Sequence, residues 1–168
     1  MIKKRIVVSD AAPLIQLAIS RHLDLLPRIY EVFIPEAVFD ETQYYPELPD
    51  AIEIAKAAGK WLEVKRIRVR TQLSGLLEQK IGEGEAEAII LCKEIRADSL
   101  LMSDKHAASK AESLGVKTIT VGDVVKEAYD YKIIGAADAV SILESLINQN
   151  ILNTSFLRRL LEEARAWP

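Results

Sequence analysis

A parallel α/β sheet covered by helices on both faces is the fold class this sequence predicts, and three observations predict it. Up to Gly122, short β-branched or aliphatic runs alternate with stretches of helical periodicity. The strand-like runs are too apolar for a sheet with one wet face, which marks strands buried on both sides. Asp10, Pro35 and Asp104 each stand where such a run gives way to a helix. Together these read as a three-layer α/β/α arrangement around a central parallel sheet of about five strands.

Taken in order, Arg5 to Ser9 (RIVVS) is a strand ending at Asp10, and Pro13 opens Leu14, Ile15, Leu17 and Ala18 at helical spacing. Glu31 to Ile34 (EVFI) is the second strand, with Pro35 in the first turn of the helix EAVFDET. Pro46 to Pro49 is a loop, Ala51 to Ala58 a helix stopped by Gly59, and Trp61 to Val64 a strand. Leu73 to Lys80 reads as helical, Gly82 and Gly84 punctuate, and Glu85 to Ile95 is a strong helix. Ser99 to Met102 is a compact strand leading through Ser103 to Asp104, followed by a helix to Leu114, a stop at Gly115 and a last strand at Val116 to Ile119. Helices alone follow: Asp123 to Tyr131, Ala136 to Asn148 and, after an Asn153 cap, Thr154 to Ala164. At 168 residues the chain is read as one domain, 1–168, with a C-terminal helical extension from about residue 123. Ile142, Leu143, Leu146 and Ile147 exceed what one edge helix needs to bury, so the helices from Ala136 onward are expected to carry self-association, as a homodimer, or partner binding, with packing onto the same domain as the alternative.

Composition excludes some classes and names none. The net charge of -3 argues against indiscriminate coating of nucleic acid, which needs clustered Lys and Arg, but not against an acidic site that reaches nucleic acid through a metal ion. No stretch reaches the roughly 18 consecutive apolar residues of a membrane span, and no signal peptide precedes the first strand, so a cytoplasmic location is expected. Cys92 is a lone cysteine in an apolar helical run and reads as a core residue.

Ligands of open parallel sheets bind beyond the carboxyl ends of the strands, where strand order reverses. Asp10 and Asp104 both stand at such ends, and each reads either as a helix cap or as a site acid. Helical geometry adds two more acids. Glu41 shares the inward face of Ala37 and Val38, whereas Asp40 stacks on Glu36 towards water. Glu85 lies within about 20° of Cys92 and beside Ala88 and Ile89, while Glu83, Glu87 and Glu94 gather on the other side and read as a solvated face. Four crowded carboxylates without evident basic partners need protons, distant cations of the chain, or hard divalent ions. Mg²⁺ or Mn²⁺ suits an all-oxygen set lacking a Cys pair or a glycine-rich phosphate loop. The Gly82-Glu83-Gly84 stretch is acidic and lacks the third glycine of a dinucleotide fingerprint.

The segments VVSDAAPLIQLA, IPEAVFDET, GEGEAEAIILCKE and LLMSDKHAASKAESLGVKTI, in this order and spacing, resemble PIN domains, especially stand-alone prokaryotic ones related to VapC-type toxins. The resemblance spans Ile6 to Val125 and continues more weakly beyond. It implies that Asp10, Glu41, Glu85 and Asp104 are metal-binding, catalytic acids of a Mg²⁺- or Mn²⁺-dependent ribonuclease, the toxin of a toxin-antitoxin pair restrained by a small antitoxin protein. One departure stands out: many relatives follow the first Asp with Thr or Ser and then Ser or Asn, where Ala11 and Ala12 stand here. Ser9 and Ser103 are the hydroxyls placed to compensate. The alternative is a catalytically weakened PIN-fold module that binds RNA or a protein partner. A phosphatase with an Asp nucleophile is a further rival, though that chemistry wants a second acid where Ala12 stands.

Remaining chemistry-bearing residues read first as ordinary ones. His106 is an exposed helical residue, or else a phosphate contact, and His22 has no partner signal. Lys65, Arg66, Arg68 and Arg70 form either a solvated segment or an RNA-backbone contact. Trp61 and Trp167 are packing residues before they are base-stacking platforms.

Overall fold

Five strands alternate with helices in the computed structural model, which describes residues 3–149 and 154–168. The strand β1 (Arg5–Ser9) is followed by α1 (Ala11–Ile19) and a short α2 (Leu25–Ile29), then β2 (Tyr30–Pro35), α3 (Glu36–Thr42) and α4 (Pro49–Ala57). Next come β3 (Leu62–Lys65), α5 (Leu73–Glu78), α6 (Glu83–Glu94), β4 (Ser99–Leu101), α7 (Lys105–Ser113) and β5 (Thr118–Ile119). Three helices close the chain: α8 (Val121–Asp130), α9 (Ala136–Ile147) and α10 (Ser155–Ala164). The Asn153 cap expected for the last of these lies outside the described residues. No described helix is long and apolar enough to cross a membrane.

All pairings are parallel and the sheet order is β3-β2-β1-β4-β5. Val7 faces Val32 on one side and Ser99 on the other, so β1 is the centre of the sheet. Its residues Val7 and Val8 are fully buried, as are Leu100 and Leu101 of β4. This is the uniformly apolar strand pattern of a sheet covered twice, a three-layer α/β/α fold. From β1 the chain steps outwards through β2 to β3, then returns across the sheet to β4 beside β1. Right-handed crossovers put connections running in opposite directions on opposite faces. Accordingly α6 packs on β1, β2 and β4, while α1 packs with α4 and α2 with α8. The short helix α3 touches both α1 and α6, so it lies across the carboxyl end of the sheet.

One element is new and two local expectations are corrected. The helix α2 was invisible to periodicity, because five residues with Pro27 among them carry too little pattern. The apolar surplus of α9 is not a surface: Ile142, Leu143 and Leu146 are buried within this one chain, against α8 and α10. The acidic face of α6 is also not solvated throughout. Glu87 is only 4% exposed, and its carboxylate accepts the Ala37 N–H at 3.2 Å, satisfying the first turn of α3. Glu94 accepts the N–H groups of Arg68 and Val69, and Glu83 alone of the three is a free surface acid.

Glu87 therefore couples α6 to α3, which carries one of the four acids singled out above. Replacing it with Ala leaves a helix-terminal donor and a cavity behind. Glu87→Ala is expected to lower unfolding free energy by about 1–3 kcal/mol, against less than about 0.5 kcal/mol for Glu83→Ala. Equilibrium denaturant unfolding of both variants reads the difference directly.

Candidate metal centre at the carboxyl end of the sheet

Strand order reverses between β1 and β4, and the loops leaving these two strands part there. Asp10 is the first residue past β1. Its backbone N–H continues the ladder onto Leu101 O at 2.9 Å, which ties it to β4. Asp104 lies three residues past the end of β4, as the N-cap of α7. Glu41 is in the last turn of α3 and Glu85 in the first turn of α6, two helices that pack together.

The four acids form one electrostatic neighbourhood graded in depth. Asp10 sits at the bottom, 5% exposed, and Oδ1 of its carboxylate has no hydrogen-bond partner. Burial pushes its pKa up to about 7; the Ala11 N–H opposes this, and the charges of Glu85, Glu41 and Asp104 add to it. Glu85 is half-buried. Burial raises its pKa, the Gly82 N–H and the nearby His106 pull it down, and Asp104 pushes it up. Glu41 reaches from the rim, its pKa raised by burial, lowered by the Gly84 N–H, and raised by Glu85 and Glu83. The expectation that Glu41 faces inward is thus met only in part, since the residue remains exposed overall. Asp104 is also exposed.

Cap and site roles, which sequence left open for both aspartates, separate here. Asp104 accepts the Ala107 N–H at 2.8 Å and caps α7. Asp10 occupies the N-cap position of α1 without making a side-chain cap bond. The serines do not compensate for Ala11 and Ala12. Ser9 Oγ donates to the Asp10 backbone carbonyl at 2.9 Å rather than to its carboxylate, and Ser103 Oγ points to Gln16 Oε1 at 3.4 Å. With methyl groups at positions 11 and 12, no hydroxyl is left to donate to Asp10 Oδ1.

Glycine Gly84 is a site residue that periodicity missed. A Cβ there would collide with the Glu41 carboxylate, and its N–H donates to Glu41 Oε1 at 3.1 Å. The signal was present in the paired glycines ahead of α6. Glu85 Oε2 likewise accepts the Gly82 N–H at 3.1 Å. His106 lies exposed with Nε2 3.1 Å from the Gln79 carbonyl, a position that packs α7 against the end of α5. Trp167 stacks on Tyr129 with centroids 4.2 Å apart, and Trp61 packs against the core, so both tryptophans are structural. Cys92 is buried, its thiol pushed up to about 12 by burial first and by Asp98 second, which leaves it unreactive at neutral pH.

The donor set fits a hard divalent cation: four carboxylates, no acid among them in an ion pair within the described residues, and a buried oxygen aimed at no donor. Among the described residues, no three acidic, His or Cys side chains are drawn up closely enough to hold a cation as they stand. Glu41, Glu85 and Asp104 instead rest on backbone N–H groups, an arrangement that separates like charges.

A family model described as a PIN domain (DUF3368) matches residues 6–166. No curated protein matches the chain. Among solved structures, the chain is similar to a PilT N-terminus domain protein from the hyperthermophilic archaeon Sulfolobus solfataricus P2, with 19% identity and a TM-score of 0.46 over 74% of this chain and 93% of that one.

The raised pKa of Asp10 has a direct consequence for the metal-free protein. Unfolded, the group titrates near 4; folded, near 7. Between those values the native state holds a proton that the unfolded state has lost, so stability falls as pH rises through that window. The full effect is on the order of a few kcal/mol. Thermal melts in EDTA from pH 4 to 8 are expected to show this decline in wild type and to lose most of it in Asp10→Asn. Parallel profiles for the two proteins would contradict the burial of the charge.

Proposed function

The chain belongs to the PIN-domain family, and from that premise we propose that it is a metal-dependent ribonuclease hydrolysing RNA phosphodiester bonds. PIN domains are generally nucleases and typically use divalent metals. The finer assignment rests on one observation above the rest: a buried carboxylate with an unpartnered oxygen at the reversal of strand order, surrounded by three further acids.

In this reading Asp10 Oδ1 forms the floor of a Mg²⁺ or Mn²⁺ site, with Glu85 halfway up and Glu41 and Asp104 at its rim. A divalent cation supplies charge stabilisation at the scissile phosphate and eases loss of a proton from the attacking water. The chain's own part is to hold the acids apart until they are neutralised, and to keep Asp10 away from bulk water. Three of the acids stand at the N-terminal ends of α1, α6 and α7, whose positive ends offset part of their charge and favour an incoming phosphate. Water attacks phosphorus, the bond to the leaving oxygen breaks, and that oxygen takes up a proton, with no covalent enzyme intermediate.

We also propose that the enzyme is the toxin of a toxin-antitoxin pair. Support comes from the four VapC-like segments and from the open rim of the site, where a small antitoxin covering Glu41 and Asp104 would bar RNA. A homodimer belongs to the same proposal, its contact made by residues other than the buried apolar set of α9. The second reading, a weakened module that holds RNA without cutting it, is favoured by Ala11 and Ala12, which leave Asp10 without a hydroxyl donor.

Purified protein is expected to cleave unstructured RNA with Mg²⁺ or Mn²⁺ and to stop in EDTA. Asp10→Asn and Asp104→Asn should each lower the rate by roughly 100-fold or more, the scale of removing charge stabilisation from a transition state. Glu83→Gln is the control, since Glu87 is structural. A control that loses as much, or full activity in EDTA, would sink this assignment; binding without cleavage would favour the second reading.

A further inference from the structure

Beside the acids lies a groove of about 270 Å³ whose wall includes Ser103 and Lys105, the residues on either side of Asp104. Its far side is the first turn and a half of α10, with Phe156 and Arg159. Phe156 is 37% exposed, and one edge of its ring lies against Gly122 of α8, where a Cβ would collide with it. Leu157 and Met102, both buried, supply apolar lining. Lys105 and Arg159 are exposed cations that make no ion pair among the described residues.

From this we propose that the groove between α7 and α10 binds one unpaired nucleotide of the RNA next to the scissile phosphate, its base stacked on Phe156 and its backbone held by Lys105 and Arg159. The inference rests on the ribonuclease reading and adds the subsite that reading lacks. A strand approaching four carboxylates is repelled by them, so it needs fixed positive charge close by. Two other basic surfaces are less suited. The cavity lined by Lys3, Lys4 and Arg28 is at the start of β1, the opposite end of the sheet from Asp10. The surface with Lys65, Arg66 and Arg68 follows the edge strand β3, where Arg66 is already paired with Glu36.

The α7–α10 groove alone of these three shares residues with the loop that carries Asp104. Its volume is on the scale of one nucleotide and below the usual range of roughly 300–1,000 Å³ for drug-sized ligands. Aromatic stacking is tolerant of sequence, because every base has a π-face. Ser103 Oγ, held only by a 3.4 Å contact to Gln16 Oε1, is free to bond a base edge.

The test is fluorescence anisotropy of the full chain with a labelled, unstructured ten-nucleotide RNA in EDTA, beside cleavage of the same RNA in Mn²⁺. Phe156→Leu is expected to weaken binding about tenfold by removing the stack. Arg159→Ala should weaken it about fivefold and lower the slope of log affinity against log salt by about one. Lys56→Ala on α4 is the charge control and should bind as wild type. Because Phe156 packs on Gly122, melting temperatures accompany every variant; Arg159→Ala, at an exposed position, keeps the test decisive if Phe156→Leu unfolds. Wild-type binding by both variants, with metal-dependent cleavage intact, overturns the groove and leaves the nuclease reading standing. Loss of binding in both, from a wild type that binds RNA but never cuts it, supports the groove and removes the nuclease. A wild type that binds no RNA in EDTA but cuts it in Mn²⁺ overturns the groove alone, and one that neither binds nor cuts overturns both.

Discussion

Placing a carboxylate where water hardly reaches, with one oxygen facing no donor, costs several kcal/mol unless something else answers the charge. Asp10 is such a group, and the architecture around it is arranged by that constraint. The residue cannot move outwards, because its N–H is locked into the ladder beside Leu101 and its neighbours Val8 and Ala11 are buried. Among the described residues no Lys or Arg pairs with it. A proton answers the charge in the metal-free protein, as a pKa near 7 implies. A divalent cation answers it better, since one ion can neutralise several acids together.

The strand order makes that arrangement possible. With β1 and β4 adjacent and parallel, the residues after each strand emerge side by side, and acids far apart in sequence meet without either strand being distorted. The helices add the rest. Glu87 docks α3 onto α6 by accepting the Ala37 N–H, and Gly84 lets the Glu41 carboxylate approach the α6 backbone. A side chain at position 84 would push against the Glu41 carboxylate, and a missing carboxylate at 87 would loosen α3 from α6; either change alters the distance between Glu41 and Glu85. The spacing of the acids thus depends on two residues outside the set of four.

Most of the fold was legible because its strands and helices have different periods. Runs such as RIVVS and SLLM, each followed by an acid and a helical stretch, locate β1, β4 and the acids after them within a residue or two. Legibility failed where a residue's role depends on another element. Glu87 has the surface spacing of Glu83 and Glu94 on its own helix; only the arrival of α3 overhead buries it. The apolar excess of α9 looked like an interface because its partners, α8 and α10, are helices of ordinary length that periodicity cannot dock. Gly84 read as punctuation because a close approach to Glu41 is a tertiary fact. The four acids could be gathered on paper, but their gradation from a buried Asp10 to an exposed rim could not.

The alanines after Asp10 bear on how that gradation works. Neither methyl group can supply the donor that Oδ1 lacks. Ser9 precedes Asp10 and Ser103 precedes Asp104, but neither donates to the Asp10 carboxylate: Ser9 Oγ bonds a backbone carbonyl, and Ser103 Oγ lies 3.4 Å from Gln16 Oε1. Without such a donor only a proton or a bound cation would answer the carboxylate, and the price is a metal-free state in which Asp10 is poorly satisfied. That state is tolerable because the three other acids are parked on N–H groups of Gly82, Gly84 and Ala107. On the proposed reading, drawing them inwards would exchange each of those bonds for a share of a cation's charge. On the proposed metal-dependent reading, affinity for the ion would be set by the difference between four ligand contacts and three hydrogen bonds, and Asp10 is the one acid whose Oδ1 has no hydrogen-bond partner to give up.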